Sequence, residues 1–140
     1  MRTIFVIADA DDEIDIANSL NPMEDWDGVE VPGMSANKMA ILHMLLNDET
    51  YLDASSMYVE VSGNLDGGPQ LFPVPPSLVE RLMEIEDDID VIAEELISTE
   101  DFEQEEWTLE QGEALLSDLV ASARICVSES KSLFMWMSDL

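Results

Sequence analysis

The stretch SLVERLMEIEDDIDVIAEELI, residues 77–97, decides how the chain is built. Leu78, Leu82, Ile85, Ile89, Ile92 and Leu96 recur at alternating steps of four and three, which places all six on one stripe of a helix reaching about Ile97. Ser77 and Glu80 have the spacing of a capping box, in which two side chains satisfy N–H groups of the first turn. The same spacing suits a coiled-coil seam, but it covers fewer than three heptads and sustained coiled coils need more. The stripe is therefore expected to pack inside a domain. Glu84, Asp87, Asp88 and Glu95 point away from it.

Working outward, Thr108-Leu109-Glu110-Gln111 repeats the capping pattern ahead of a second long helix carrying Leu115, Leu116, Leu119, Val120 and Ala123. SLFMWMS, residues 132–138, has the length and composition of a final strand, with Trp136 in the core. At the other end, Thr3 to Ala8 reads as a buried strand and Asp9 to Leu20 as a short helix closed by Asn21-Pro22. PMEDWDGVEVPG (22–33) reads as a loop, and Ser35 caps a mostly apolar helix over 36–48. MYVEVSG (57–63) alternates as a strand does, and NLDGGPQ (64–70) reads as a turn. The expectation is one α+β domain over residues 1–140: a small sheet with two long C-terminal helices packed on it.

Composition sets the class. Hydrophobic residues make up 46%, enough for a large core, yet 32 Asp and Glu face 5 Lys and Arg for a net charge of −27. Acidic disordered tails lack that apolar content. Cys126 is the only cysteine, so no internal disulfide forms, which suits a reducing compartment. The apolar run after Arg2 stops at Ala8, short of a signal peptide, and no stretch approaches the ~20 apolar residues of a spanning helix. A cytoplasmic location is expected.

Catalytic chemistry finds little to work with. A strand running into Asp9, Asp11 and Asp12 resembles the start of haloacid-dehalogenase-like phosphatases, but no later segment supplies their acidic Gly-Asp motif. Receiver domains fail as well, since MYVEVSG ends without an aspartate to accept phosphate. As a calcium loop the run has Leu20 at position twelve, where a glutamate belongs. Carboxylates in a first helical turn are explained by the helix dipole. His43, the sole histidine, sits among Ile41, Leu42, Met44 and Leu45 and reads as a core residue. Cys126 has no second histidine to activate it. No enzyme, cofactor or metal site is expected.

The acid itself is the signal. No basic residue lies between Arg81 and Arg124, while carboxylates crowd the interval and run on into STEDFEQEEW (98–107). Like charges at i,i+4, such as Glu84 with Asp88, cost a few tenths of a kcal/mol each. A field of this sign repels nucleic acid and membranes and steers basic proteins inward. Trp26 and Trp107, both flanked by acids, have the character of interface anchors. The expected contact surface joins Asp25, Trp26 and Asp27 to Glu84, Asp87, Asp88, Glu95, Glu103, Glu105, Glu106 and Trp107. Its partner would be a basic protein, most simply a toxin blocked by plugging or by mimicry of a phosphate backbone. The competing reading is salt adaptation of an ordinary binding domain. Oligomeric state is not legible.

KMAILHMLLND (38–48), VPPSLVERLMEI (74–85) and LLSDLVASARICVSESKSLFMWMS (115–138) resemble the YfbM-like group of small bacterial domains. In that group a leucine-histidine helix, a helix opening after a proline, and a final helix leading into an edge strand recur. The chain departs from it at Met39, where the group carries tryptophan, at Asn47, and across the N-terminal third. Immunity proteins of bacterial toxin systems share this size and acidity, so the resemblance implies an inhibitor and no catalytic residue.

Overall fold

Two apolar strands form the centre of the molecule. In the computed structural model, which describes residues 2–61 and 69–138, β1 (Arg2–Ala8) lies antiparallel to β4 (Ser132–Ser138) with Ile4 opposite Trp136 and Phe5 opposite Met135. Both are buried on both faces, which is why each reads as an unbroken apolar run rather than an alternating one. β2 (Asp27–Glu30) pairs with the outer edge of β1, and β3 (Gln70–Pro73) with the outer edge of β4, giving the antiparallel order β2-β1-β4-β3. β4 is thus an interior strand, not the edge strand that the family resemblance implied. Gly28 is required where β2 crosses β1, because a Cβ there would come within 2.8 Å of the Phe5 carbonyl oxygen.

Helices cover one face almost completely. Phe5, Ile7, Leu133, Met135 and Met137 meet residues from α2 (Ala36–Asn47), α3 (Tyr51–Ser56), α4 (Pro76–Met83), α5 (Ile89–Ile97), α6 (Glu100–Gln104) and α7 (Leu109–Glu129). The opposite face, with Ile4, Val6, Ala8, Leu71, Phe134 and Trp136, is covered more thinly, by Ile16 and Ala17 of α1 (Glu13–Ala17) and by Trp26. The α+β class is as expected, with Trp136 and His43 both buried.

Several expected elements take another form. The helix over 77–97 is two helices, α4 and α5, separated at residues 84–88, so only α7 is long. Five carboxylates crowd residues 84–90, and aspartate favours backbone-bonded turns over helix interiors. Arg124 of α7 supplies the stop: its guanidinium donates to the Ile85 carbonyl at 2.6 Å and the Met83 carbonyl at 3.5 Å, satisfying the end of α4. Both pieces still pack on α7, so Leu78, Leu82, Ile85 and Leu96 remain buried. The box at Ser77 is not used; α4 opens on Pro76, and Ser77 Oγ lies 3.4 Å from His43 Nε2. The box at Thr108 and Gln111 is complete.

The expected helix over 9–20 shrinks to a 3₁₀ turn, Ala10–Asp12, followed by α1. The loop over 22–33 contains β2, and 98–107 contains α6. Of the expected strand over 57–63, only Val61 makes a bridge, to Leu71; residues 62 and 63, and most of the expected turn over 64–70, lie outside the described residues.

Among the described residues, three non-glycine residues adopt a left-handed backbone: Asp48, Glu106 and Ser130. Each directly follows or closes a helix. At α6, the Trp107 N–H reaches the Phe102 carbonyl at 3.1 Å and the Glu106 N–H reaches that of Glu103 at 3.0 Å. These two bonds form a Schellman motif, and its usual apolar contact is the edge-to-face pair of Phe102 with Trp107, centroids 4.9 Å apart.

Candidate functional site: two acidic tryptophan surfaces

That helix end fixes the first candidate surface. Trp107 leaves α6 half-buried, with its ring against Gly33, whose φ of +84° and missing side chain let the turn approach; a Cβ would sit 3.3 Å from Trp107 Cζ2. Lys38 holds this arrangement from behind. Buried on α2, it donates through Nζ to the Gly33 carbonyl at 2.7 Å and pairs with Glu105 Oε2 at 2.5 Å. Glu105 is therefore committed within the fold, while Glu103 and Glu106 stand exposed beside it.

A groove of about 170 Å³ opens next to the indole, between the end of β2 and one flank of α7. Val31, Pro32, Ala114 and Leu115 make its apolar walls, and Glu30 and Asp118 its acidic ends. Glu30 is paired with Arg2 at 3.1 Å. Asp118 has no ion pair or hydrogen bond among the described residues, and partial burial pushes its carboxyl above the ordinary aspartate value. Sequence reading passed over Asp118 because it lies inside the apolar run LLSDLV. The available signal was its position, level with Gln111 and Ala114 at the edge of the α7 stripe.

The second surface surrounds Trp26. Its indole N–H donates to Asp12 Oδ2 at 3.3 Å, and its ring closes the thinner core. Asp25 and Asp27 flank a polar depression of about 290 Å³ that also takes in Glu24, Met23 and Lys131, the last lying 3.8 Å from Asp9. Asp9 and Asp12 at the opening stretch thus hold tertiary contacts, and neither caps its helix through its side chain.

The eleven residues expected to share one surface do not sit in one place. Trp26 backs the core on one face of the sheet and Trp107 the core on the other. Glu84, Asp87 and Asp88 occupy the break between α4 and α5, and Glu95 lines an open groove with Leu45, Val91, Glu94 and Ser98. All of these acids are exposed. The five cations relieve few of them: Arg2, Lys38, Arg81 and Lys131 each pair with one carboxylate, Arg81 with Glu84 at 3.9 Å, while Arg81 and Arg124 donate to backbone carbonyls.

One buried polar cluster was not anticipated. His43 Nε2 lies 3.4 Å from Ser77 Oγ and 3.8 Å from Glu49 Oε2, and His43 Nδ1 and Asn47 Oδ1 are buried without a hydrogen-bond partner among the described residues. Serine and carboxylate face the same ring nitrogen. A relay needs them on opposite nitrogens. Burial lowers the His43 pKa, with Glu49 opposing, so the ring is neutral near pH 7. Burial, aided by Glu129, pushes the Cys126 thiol up to about 11, where little thiolate forms. Among the described residues no group of carboxylates, histidine and cysteine could hold a metal ion, and no helix is long and apolar enough to cross a membrane. The chain has no significant match among protein-family models, curated proteins or solved structures.

Proposed function

We propose that the chain is a non-enzymatic binding protein that neutralises a basic protein, a toxin of the cell that makes it, by covering the toxin's active-site surface. One observation carries this reading: a net charge of −27 laid over an ordinary apolar core, with each of the five cations already engaged by the chain's own carboxylates or carbonyls. A net charge of magnitude ~2–8 is enough to keep a small domain soluble. Excess of this size destabilises the compact state by self-repulsion, and its gain is steering of oppositely charged partners. The two tryptophans beside carboxylates supply anchors for such a partner. The single cysteine suits a reducing cytoplasm, where such an inhibitor would act.

Acid spread over both faces of the sheet favours one rival, salt adaptation of a binding domain. Co-expression separates the two. An inhibitor predicts a larger, basic protein encoded beside this chain that arrests growth when expressed alone and not when both are expressed. A harmless neighbour among equally acidic proteins would overturn the inhibitor reading.

A further inference from the structure

The groove beside Trp107 has the features of a seat for one side chain. At about 170 Å³ it falls below the ~300 Å³ at which small-molecule sites begin, yet it exceeds several waters at ~30 Å³ each. Its walls are apolar along their length and its end carries a carboxylate with no cation. The indole N–H of Trp107 has no acceptor among the described residues. The chain's own cations are held elsewhere, Arg2 by Glu30 and against the Trp136 ring, Lys38 behind the Gly33 turn. An apolar stem and a terminal cation are what such a groove lacks.

We propose that this groove receives an arginine side chain of the basic partner, its stem between Pro32 and Ala114, its guanidinium against the Trp107 ring and paired with Asp118. Arginine rather than lysine follows from the chemistry: a planar guanidinium stacks on an aromatic ring and meets a carboxylate in a fork, and its weaker hydration suits a half-buried site. Asp118 supports this independently. Its carboxyl is pushed up by burial with nothing nearby to offset it, so an incoming cation would relieve an existing penalty. The inference rests on the proposed binding function and names the contact through which it would act.

The test follows the Trp107 indole N–H by NMR while a blocked Gly-Arg-Gly peptide is titrated in. A saturable shift is expected, about tenfold weaker with citrulline in place of arginine, and about tenfold weaker again in Asp118→Asn. Asp15→Asn, an equal charge change on the other face of the sheet, should leave it unaltered. No saturable shift, an equal response to lysine or citrulline, or an unchanged response in Asp118→Asn would overturn the assignment. Failure here with a basic protein still captured by the whole chain removes the groove and spares the binding function. Absence of any captured protein removes the function itself.

Discussion

Asp118 is a residue whose cost is readable. Its folded pKa lies above the ordinary aspartate value of 3.8, so the native state holds its proton more tightly than the unfolded chain does. The contribution to stability is therefore fully present below pH 3.8 and is lost as pH rises through the folded value. Asp118→Asn should accordingly raise the melting temperature at pH 7, with the gain vanishing in acid; a gain independent of pH would assign it to packing instead. Glu106 carries a different cost. A left-handed backbone at a residue with a Cβ is unfavourable by ~1–2 kcal/mol, which glycine avoids. Glu106→Gly should stabilise the fold by up to about 1 kcal/mol in chemical denaturation, since the freer unfolded chain cancels part of the gain. Destabilisation would mean the Glu106 side chain does more than occupy the turn.

At the scale of elements, the break over residues 84–88 turns on a contact from α7. Arg124 donates to the Met83 and Ile85 carbonyls, and Arg124→Met keeps the stem while removing those donors. The loss should cost about 1–2 kcal/mol in denaturant unfolding, and an unchanged midpoint would mean that water serves the carbonyls equally well. The same contact shows where sequence reading stops. Apolar periodicity continues across the break because α4 and α5 both face α7, so the stripe Leu78 to Leu96 is correct about burial and silent about continuity. β1, β4, α2 and α7 were legible because each carries its signal locally, as an apolar run, a serine cap or a complete capping box. β2 was not, because DGVE has little strand character and owes its conformation to pairing with β1. Trp26 and Trp107 were legible as indoles flanked by acid. Their separation onto opposite faces was not, since it depends on which core each ring closes.

For the whole molecule, charge is the governing term. A partner that engages both tryptophan surfaces must reach both sides of the sheet, because the two rings close cores on opposite faces. Self-repulsion at −27 should make stability rise with salt as the Debye length falls from about 30 Å at 0.01 M to about 8 Å at 0.15 M. Thermal melts across that range test this, and an unchanged midpoint would mean the acids are too dispersed to act on one another. Folding that is complete at physiological salt fits an inhibitor; folding that needs molar salt fits salt adaptation.

The most direct measurement is capture from the source cell's lysate on immobilised chain at low salt, with elution by a rising salt gradient and mass spectrometry of what leaves. It is run in parallel with a variant in which Asp87, Asp88, Glu103 and Glu106 are changed to lysine, Glu105 being left to pair with Lys38. The binding account predicts one stoichiometric basic protein, held to high salt by the native chain and released early or not retained by the variant. Retention of no such protein would contradict it, and equal retention by both would remove these acids from the contact surface.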